Sequence, residues 1–324
     1  MSERTFKKNE ITEGVIWKQL LIFFFPIMLG TLVQQFYTTV DTIIVGRFVG
    51  KAALASVGGP AAVIANIVIT FFNGLANGAA VIIAQYYGSR DEKRLHVGLH
   101  TAYAFSIMTS IAVTVVGVIG TPHFLKWMNT PEDMMADSTI YLRVYFLGII
   151  FTLVYNMGAA IMRAAGDSRR PLLYLVVCSV MNIILDIVMV VFLHMGIAGA
   201  ALATVISQCI SAALVTYSLM HAYDVMKLKL REIRMNMSVL AKELKIGIPG
   251  ALQACAYGVT NVIIQAVVNG FGTDTAAGWA AYGKLDMIFW TVNSALGVAV
   301  TTFVGQNYGA GKMDRVYKSI RVNL

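Results

Sequence analysis

Residues 16–46 read IWKQLLIFFFPIMLGTLVQQFYTTVDTIIVG, and after Lys18 the only charged residue among them is Asp41. A bilayer-crossing helix needs about 20 mostly apolar residues, and this stretch exceeds that length. It is too long, and too poor in small residues at a cleavage position, to be a signal peptide. Pro26 lacks the N–H that would continue the helical ladder, so it kinks the helix and frees one carbonyl. A carboxylate at the depth of Asp41 costs roughly 2.5–3.5 kcal/mol on insertion scales, so it is read as functional.

The rest of the chain repeats this character. Of 324 residues, 57% are hydrophobic and 13% charged, with a net charge of +8; the mean hydropathy is +0.70. A water-soluble fold could not bury so much apolar surface, and a disordered chain would carry more charge. Eight spans are expected, over 16–46, 53–87, 96–120, 137–163, 171–193, 196–221, 240–270 and 276–308. The fold class is therefore all-α, a polytopic transmembrane helical bundle. With the N-terminus cytoplasmic, 20 of the 25 Lys and Arg residues fall on the inner side, while Arg47, Lys51 and Lys126 lie outside. These loop positions explain the net charge through an anionic membrane surface, with no nucleic acid. Cys178, Cys209 and Cys255 lie in apolar stretches and read as small core residues.

The chain also repeats itself. Pro26 and Pro249 open equivalent spans, Phe48 and Phe271 keep that offset, and Gln85-Tyr86-Tyr87-Gly88 recurs as Gln306-Asn307-Tyr308-Gly309. Span 7 copies span 1, so each repeat holds an even number of spans and the halves run parallel. The expected organisation is an N-lobe over 1–223, a cytoplasmic linker over 224–239 and a partial second lobe over 240–324. A complete second copy would run on for roughly 118 residues more, which implies a truncated chain. A self-sufficient eight-span protein is the alternative.

Helical rise places Asp41 about 8 Å, Asp186 about 10 Å and Thr204 about 12 Å below the outer surface, at one level on three helices. Asn182 stands at i and i+4 to Asp186 and points the same way. Carboxylate, amide and hydroxyl oxygens suit a small hard cation or a proton. Two such carboxylates in low dielectric would not both stay charged unless a cation joined them. Asp41, Asp186 and Asn182 are thus candidate Na⁺ ligands, and H⁺ or Na⁺ is the expected coupling ion, with no cofactor. Plain hydrogen bonding inside the bundle is the competing explanation. Gln34 and Tyr37 below Asp41, and Lys284 and Asp286 in span 8, are candidate cavity residues. His96 and His100 share a helix face but lack a third metal ligand. No P-loop, His-Glu-x-x-His or Gly-x-Ser-x-Gly is present, so neither ATP drive nor hydrolase chemistry is expected.

The run from Pro26 to Gly50, the Ala84-Gln-Tyr-Tyr-Gly88 close of span 2, and Arg163-Ala-Ala-Gly-Asp-Ser-Arg-Arg-Pro171 resemble the multidrug and toxic compound extrusion (MATE) transporters. The resemblance implies two six-helix lobes around a central cavity. It also implies export of cationic or amphipathic drugs in exchange for H⁺ or Na⁺, by a monomer in the bacterial inner membrane. Its N-lobe cation site corresponds to Asp41, Asn182 and Asp186, with Asn156 and Thr204 added on the same resemblance. A helix-7 glutamate of some members has no counterpart beyond Glu243 at the span's edge, so coupling is expected in the first lobe. A lipid-linked oligosaccharide flippase of the same superfamily is the alternative transporter, and its cavity would carry basic residues. A non-transporting truncated protein and an intramembrane aspartyl protease are the alternatives from other classes.

Overall fold

The computed structural model describes residues 10–323 apart from 224 and 272; the side chains of Lys284 and of several other helical positions lie outside that description. Ten α-helices follow in order: α1 (Ile16–Phe48), α2 (Lys51–Ser56), α3 (Ala62–Gly88), α4 (Glu92–Trp127), α5 (Glu132–Ala164), α6 (Arg169–Asp186), α7 (Gly196–His221), α8 (Met237–Asn269), α9 (Thr273–Gly309) and α10 (Met313–Asn323). No strand occurs among the described residues. Seven helical segments among them are long and apolar enough to cross a bilayer. Their outward faces carry exposed Phe36, Ile119, Leu147 and Phe192, the surface expected where lipid replaces water.

Two helices depart from α geometry where the sequence dictates. Gly59-Pro60 breaks the register between α2 and α3, and Gly59 takes a non-helical backbone there. α6 runs on through a π-helical turn, Ile187–Phe192, which begins directly after Asp186. Such turns widen the helix and often mark functional positions. The short return to α7 uses His194 and Gly196 in left-handed backbone.

Helix packing relies on small residues, because lipid removes the hydrophobic drive between helices and leaves van der Waals contact. α5 is the most buried of these segments and lies against α4 and α7. Gly148 and Gly158 face Val205 and Val215 of α7, so any added Cβ would overlap them. α3 makes the seam with the later helices. Gly74 backs onto Ala251, and Gly78 onto Gly247 and the Glu243 carbonyl. α9 completes the contact through Phe303, which meets Phe23 of α1 edge-on at 6.4 Å. Buried hydroxyls return to their own helices, as in Ser179 to Leu175 (2.8 Å) and Thr216 to Ala212 (2.7 Å).

One end of the bundle carries most of the basic residues, and there the linker lies on α4 and on the turn between α5 and α6. The Lys229 N–H donates to His100 Nε2 at 3.1 Å and the Asn236 N–H to Thr101 Oγ1 at 3.2 Å. Tyr223 donates to Asp167 at 2.8 Å, with Arg170 over its ring. Burial, and after it the Asp167 charge, raises the Tyr223 phenol above its ordinary range.

Candidate functional site

Asp41 on α1 and Asp186 at the end of α6 are immediate neighbours. Asp186 is 0% and Asn182 1% exposed. Asp41 Oδ1, both Asp186 oxygens and both polar atoms of the Asn182 amide are buried without a hydrogen-bond partner among the described residues. Buried polar atoms in native proteins are nearly always paired, and leaving one unpaired costs about 1–3 kcal/mol. Five such atoms in one place call for an occupant that oxygen and amide groups can hold.

The walls around this group follow from helical register. Ile44, Val45, Val190, Ile197 and Ala200 form one buried apolar cluster. Val45, Val190 and Ala200 each stand at i±4 to Asp41, Asp186 and Thr204, respectively. The apolar cluster therefore closes the acidic group one turn toward the less basic end, at about 5–6 Å along the axis. Tyr37 of α1 stands near Asp41 and Tyr141 of α5 near both carboxyl groups, and Tyr141 stacks on Tyr145 at 6.2 Å. Tyr141 was not singled out in the sequence. Its i, i+4 partnership with Tyr145 on the most buried span was the available signal.

Other expected site residues fall as follows. The Thr204 hydroxyl donates to Ala200 O at 3.1 Å, back along its own helix. Asn156 is half-buried on α5, and no hydrogen bond joins it to either carboxylate. Gln34 is exposed beside Tyr37 on α1. Asp286 accepts from Tyr282 at 3.2 Å on α9. The Lys284 side chain lies outside the described residues.

A separate cavity of about 470 Å³ lies between α3, α5, α8 and α9. Its walls include Asn77, Arg163, Gln253, Ser294, Thr301 and Thr302. Gln34, Tyr37 and Asp286, the described residues expected from sequence to line a cavity, do not appear among these walls. Among the described residues its one charged lining group is Arg163, whose guanidinium has no hydrogen-bond or ion-pair partner among them.

The cavity is closed at the basic end. Gln306 Nε2 donates to the buried Ala164 carbonyl at 2.7 Å. Arg315 donates to Asn307 Oδ1 (3.1 Å), Gly14 O (2.8 Å) and Ile11 O (3.1 Å), which ties the segment before α1 to α9 and α10. Lys312 Nζ adds a bond to Thr12 O at 2.9 Å.

Elsewhere, His96, His100 and Glu232 bring three ligand atoms within 4.8 Å of one another. Glu232 is thus the third group that the sequence did not offer. Both His100 nitrogens are already engaged, with His96 O at 2.7 Å and the Lys229 N–H at 3.1 Å. The cluster anchors the linker. Glu243, read in the sequence as lying at a span's edge, is 3% exposed, and its carboxyl oxygens have no partner among the described residues.

Comparison with known proteins follows the same outline. The sequence profile of the MatE family matches residues 26–188 and 249–324. The chain is 34% identical over 319 residues to the probable multidrug resistance protein YpnP of Bacillus subtilis, covering 96% of this chain and 69% of that protein. It is 29% identical to the probable multidrug resistance protein YoeA of the same organism, over 95% and 68%. A MOP-superfamily transporter from Pyrococcus furiosus superposes with a TM-score of 0.90 at 23% identity, over 99% of this chain and 71% of that chain. That last likeness speaks for the fold alone.

Proposed function

This chain belongs to the MatE family of multidrug efflux transporters, and from that premise we propose that it exports amphipathic or cationic drugs in exchange for H⁺ or Na⁺. It is a multi-pass membrane transporter and not an enzyme. In this reading the basic end faces the cytoplasm of a bacterium, the protein sits in the inner membrane as a monomer, and helices α1–α7 form the ion-coupling lobe.

The observation that carries the reading is the unpartnered group of Asp41, Asn182 and Asp186. Adjacent carboxylates in a low-dielectric site repel each other, so both are ionised together only when a cation lies between them. Na⁺ would meet carboxylate and amide oxygens there, which suit a hard ion. A proton would instead neutralise one acid. Either occupant relieves the repulsion and so favours the packing in which α1 and α6 hold the acids together. Leaving the occupant out favours separation of the two helices. That difference in ion affinity between two packings is what couples the ion to a rocking of the lobes.

Three supports are independent of the acids. The apolar cluster of Ile44, Val45 and Val190 keeps water from one side. The π-turn after Asp186 supplies a segment whose hydrogen bonds can re-register. Small-residue contacts at the α3–α8 seam let two rigid groups of helices move against each other. The test is ethidium efflux from loaded vesicles under an imposed Na⁺ or pH gradient. Efflux should depend on one of these gradients, and Asp41→Asn should abolish that dependence. Unchanged gradient-driven efflux in Asp41→Asn sinks the assignment.

A further inference from the structure

Arg163 is the least expected group in the molecule. It stands in the last turn of α5, lines the cavity between α5 and the α8–α9 pair, and has neither an acid nor a carbonyl bonded to it among the described residues. Arg163 is half-buried, and a charge partly withdrawn from water is ordinarily paired, because what it loses in hydration is otherwise not made good. The acids of the chain do not serve it. Asp41 and Asp186 face each other elsewhere, Asp167 bonds to Tyr223 and Arg170, and no carboxylate lines the cavity among the described residues.

The remaining walls suit an anion that brings an apolar body with it. Asn77 and Gln253 offer amide N–H donors, and Ser294 and Thr302 offer hydroxyls, from three helices facing Arg163. The Thr301 hydroxyl is used by Gly297 O at 2.7 Å and leaves only its oxygen. Gly297 and Val298 give the cavity an apolar flank. At about 470 Å³ it falls within the usual range for a drug-sized ligand. The Gln306–Ala164 bond lies one residue along from Arg163, which places Arg163 in the turn next to the closed basic end.

We propose that Arg163 is the recognition point for an oxyanion, a carboxylate or phosphate carried by an amphipathic molecule seated between the helices, so that the cargo range of this transporter includes organic anions. A guanidinium presents a planar fork of N–H donors that matches both groups, whereas a cationic drug would be repelled there. The inference deepens the transport reading and rests on it for the meaning of the cavity, but binding can be measured without transport. The oxyanion has two sources, a soluble amphipathic anion or the headgroup of an anionic phospholipid.

The experiment titrates fluorescein, a dianion, and ethidium, a cation, against the full chain in phosphatidylcholine nanodiscs, read by fluorescence anisotropy. R163Q should weaken fluorescein by about tenfold or more, with R163K intermediate and ethidium not weakened. As a second variant, Q253E places a carboxylate on the facing helix and should exclude fluorescein with Arg163 intact. Replacing a third of the lipid by phosphatidylglycerol separates the sources. If wild-type fluorescein binding falls and that of R163Q does not, the headgroup occupies the site; if neither falls, the occupant is a soluble anion. Undiminished fluorescein binding in both R163Q and Q253E overturns the proposal. So does equal loss of both probes in R163Q, which would make Arg163 a support of the cavity. Absence of ethidium efflux in vesicles would defeat the drug-export reading and leave an Arg163-dependent anion site standing.

Discussion

Gly88 backs directly onto the carbonyl of Gln306, and the same contact recurs with the partners exchanged, Gly309 against the carbonyl of Gln85. The Gln85–Gly88 and Gln306–Gly309 runs are the two copies of one repeat, and here they meet each other across the seam of α3 and α9. Each is followed by the same turn. The Asp91 N–H returns to Tyr86 O and the Lys312 N–H to Asn307 O, with Arg90 and Gly311 in left-handed backbone between. The closed basic end is thus a symmetric joint whose tightness depends on two missing side chains.

A Cβ at either glycine has backbone, not a flexible side chain, to displace, so the joint cannot yield locally. Gly88→Ala with Gly309→Ala should separate α3 from α9 at this end, at a cost of about 1–3 kcal/mol for the closed arrangement. Spin labels at Lys93 and Lys318 measure it. The expected result is a longer, broader distance distribution than in the parent; an unchanged one would show that the helices close elsewhere.

Removing charge from the acidic group should stabilise the protein and blind it to the ion. Asp186→Asn keeps the shape and spares the fold the cost of neutralising one of two adjacent acids, so its melting temperature without Na⁺ at neutral pH should rise, by the equivalent of about 1–3 kcal/mol. The parent should gain stability with added Na⁺ or with added acid, by mass action on an occupant bound only when folded. Asp186→Asn should gain from neither. A parent that responds to neither ion would count against the site.

Arg315 holds three acceptors from two segments, and its loss leaves the Ile11 and Gly14 carbonyls without that donor. Arg315→Ala should cost about 1.5–3 kcal/mol locally, since bonds to a charged donor are at stake. Lysine cannot reproduce the fork, so Arg315→Lys should recover only part. Hydrogen exchange at residues 11–16 reads the effect, with faster exchange confined to that segment as the expected outcome.

The linker should be ordered above the carboxylate range and loosen in acid. Hydrogen bonding from Lys229 at 2.8 Å holds the Glu232 carboxyl below its ordinary value of 4.5, and His96 at 2.9 Å adds to it. A carboxyl with a lowered folded value contributes its stability above the unfolded value and loses it as pH falls through the folded one. Protease sensitivity of residues 225–236 should therefore rise between about pH 5 and pH 3. Glu232→Gln should show that sensitivity already at neutral pH, with a small amplitude because the pair is exposed.

Much of this was legible along the chain. The apolar lengths announced eight spans, of which seven qualify among the described residues; Gly59-Pro60 marked an interruption, and the shared offset of Gln85–Gly88 and Gln306–Gly309 marked the repeat. These are local or one-dimensional signals, set by hydropathy and backbone chemistry, and need no knowledge of neighbours. Helical rise alone also put Asp41 and Asp186 at one level, because distance along a straight helix is arithmetic.

What only the tertiary structure decided is which faces meet. Rotation of each helix follows from small-residue contacts such as Gly148 with Val205 and Gly74 with Ala251, and these pairs are invisible until both helices are placed. That rotation brought Tyr141 to the acids, turned the Thr204 hydroxyl back on Ala200, and left Gln34 exposed. It also set Arg163, which in sequence is one more basic residue at a span's end, into the wall of a cavity between four helices. The sequence by itself determined that buried charge would be needed and roughly how deep it lies; packing chose its partners, because contact between side chains is a property of pairs of helices and not of either one.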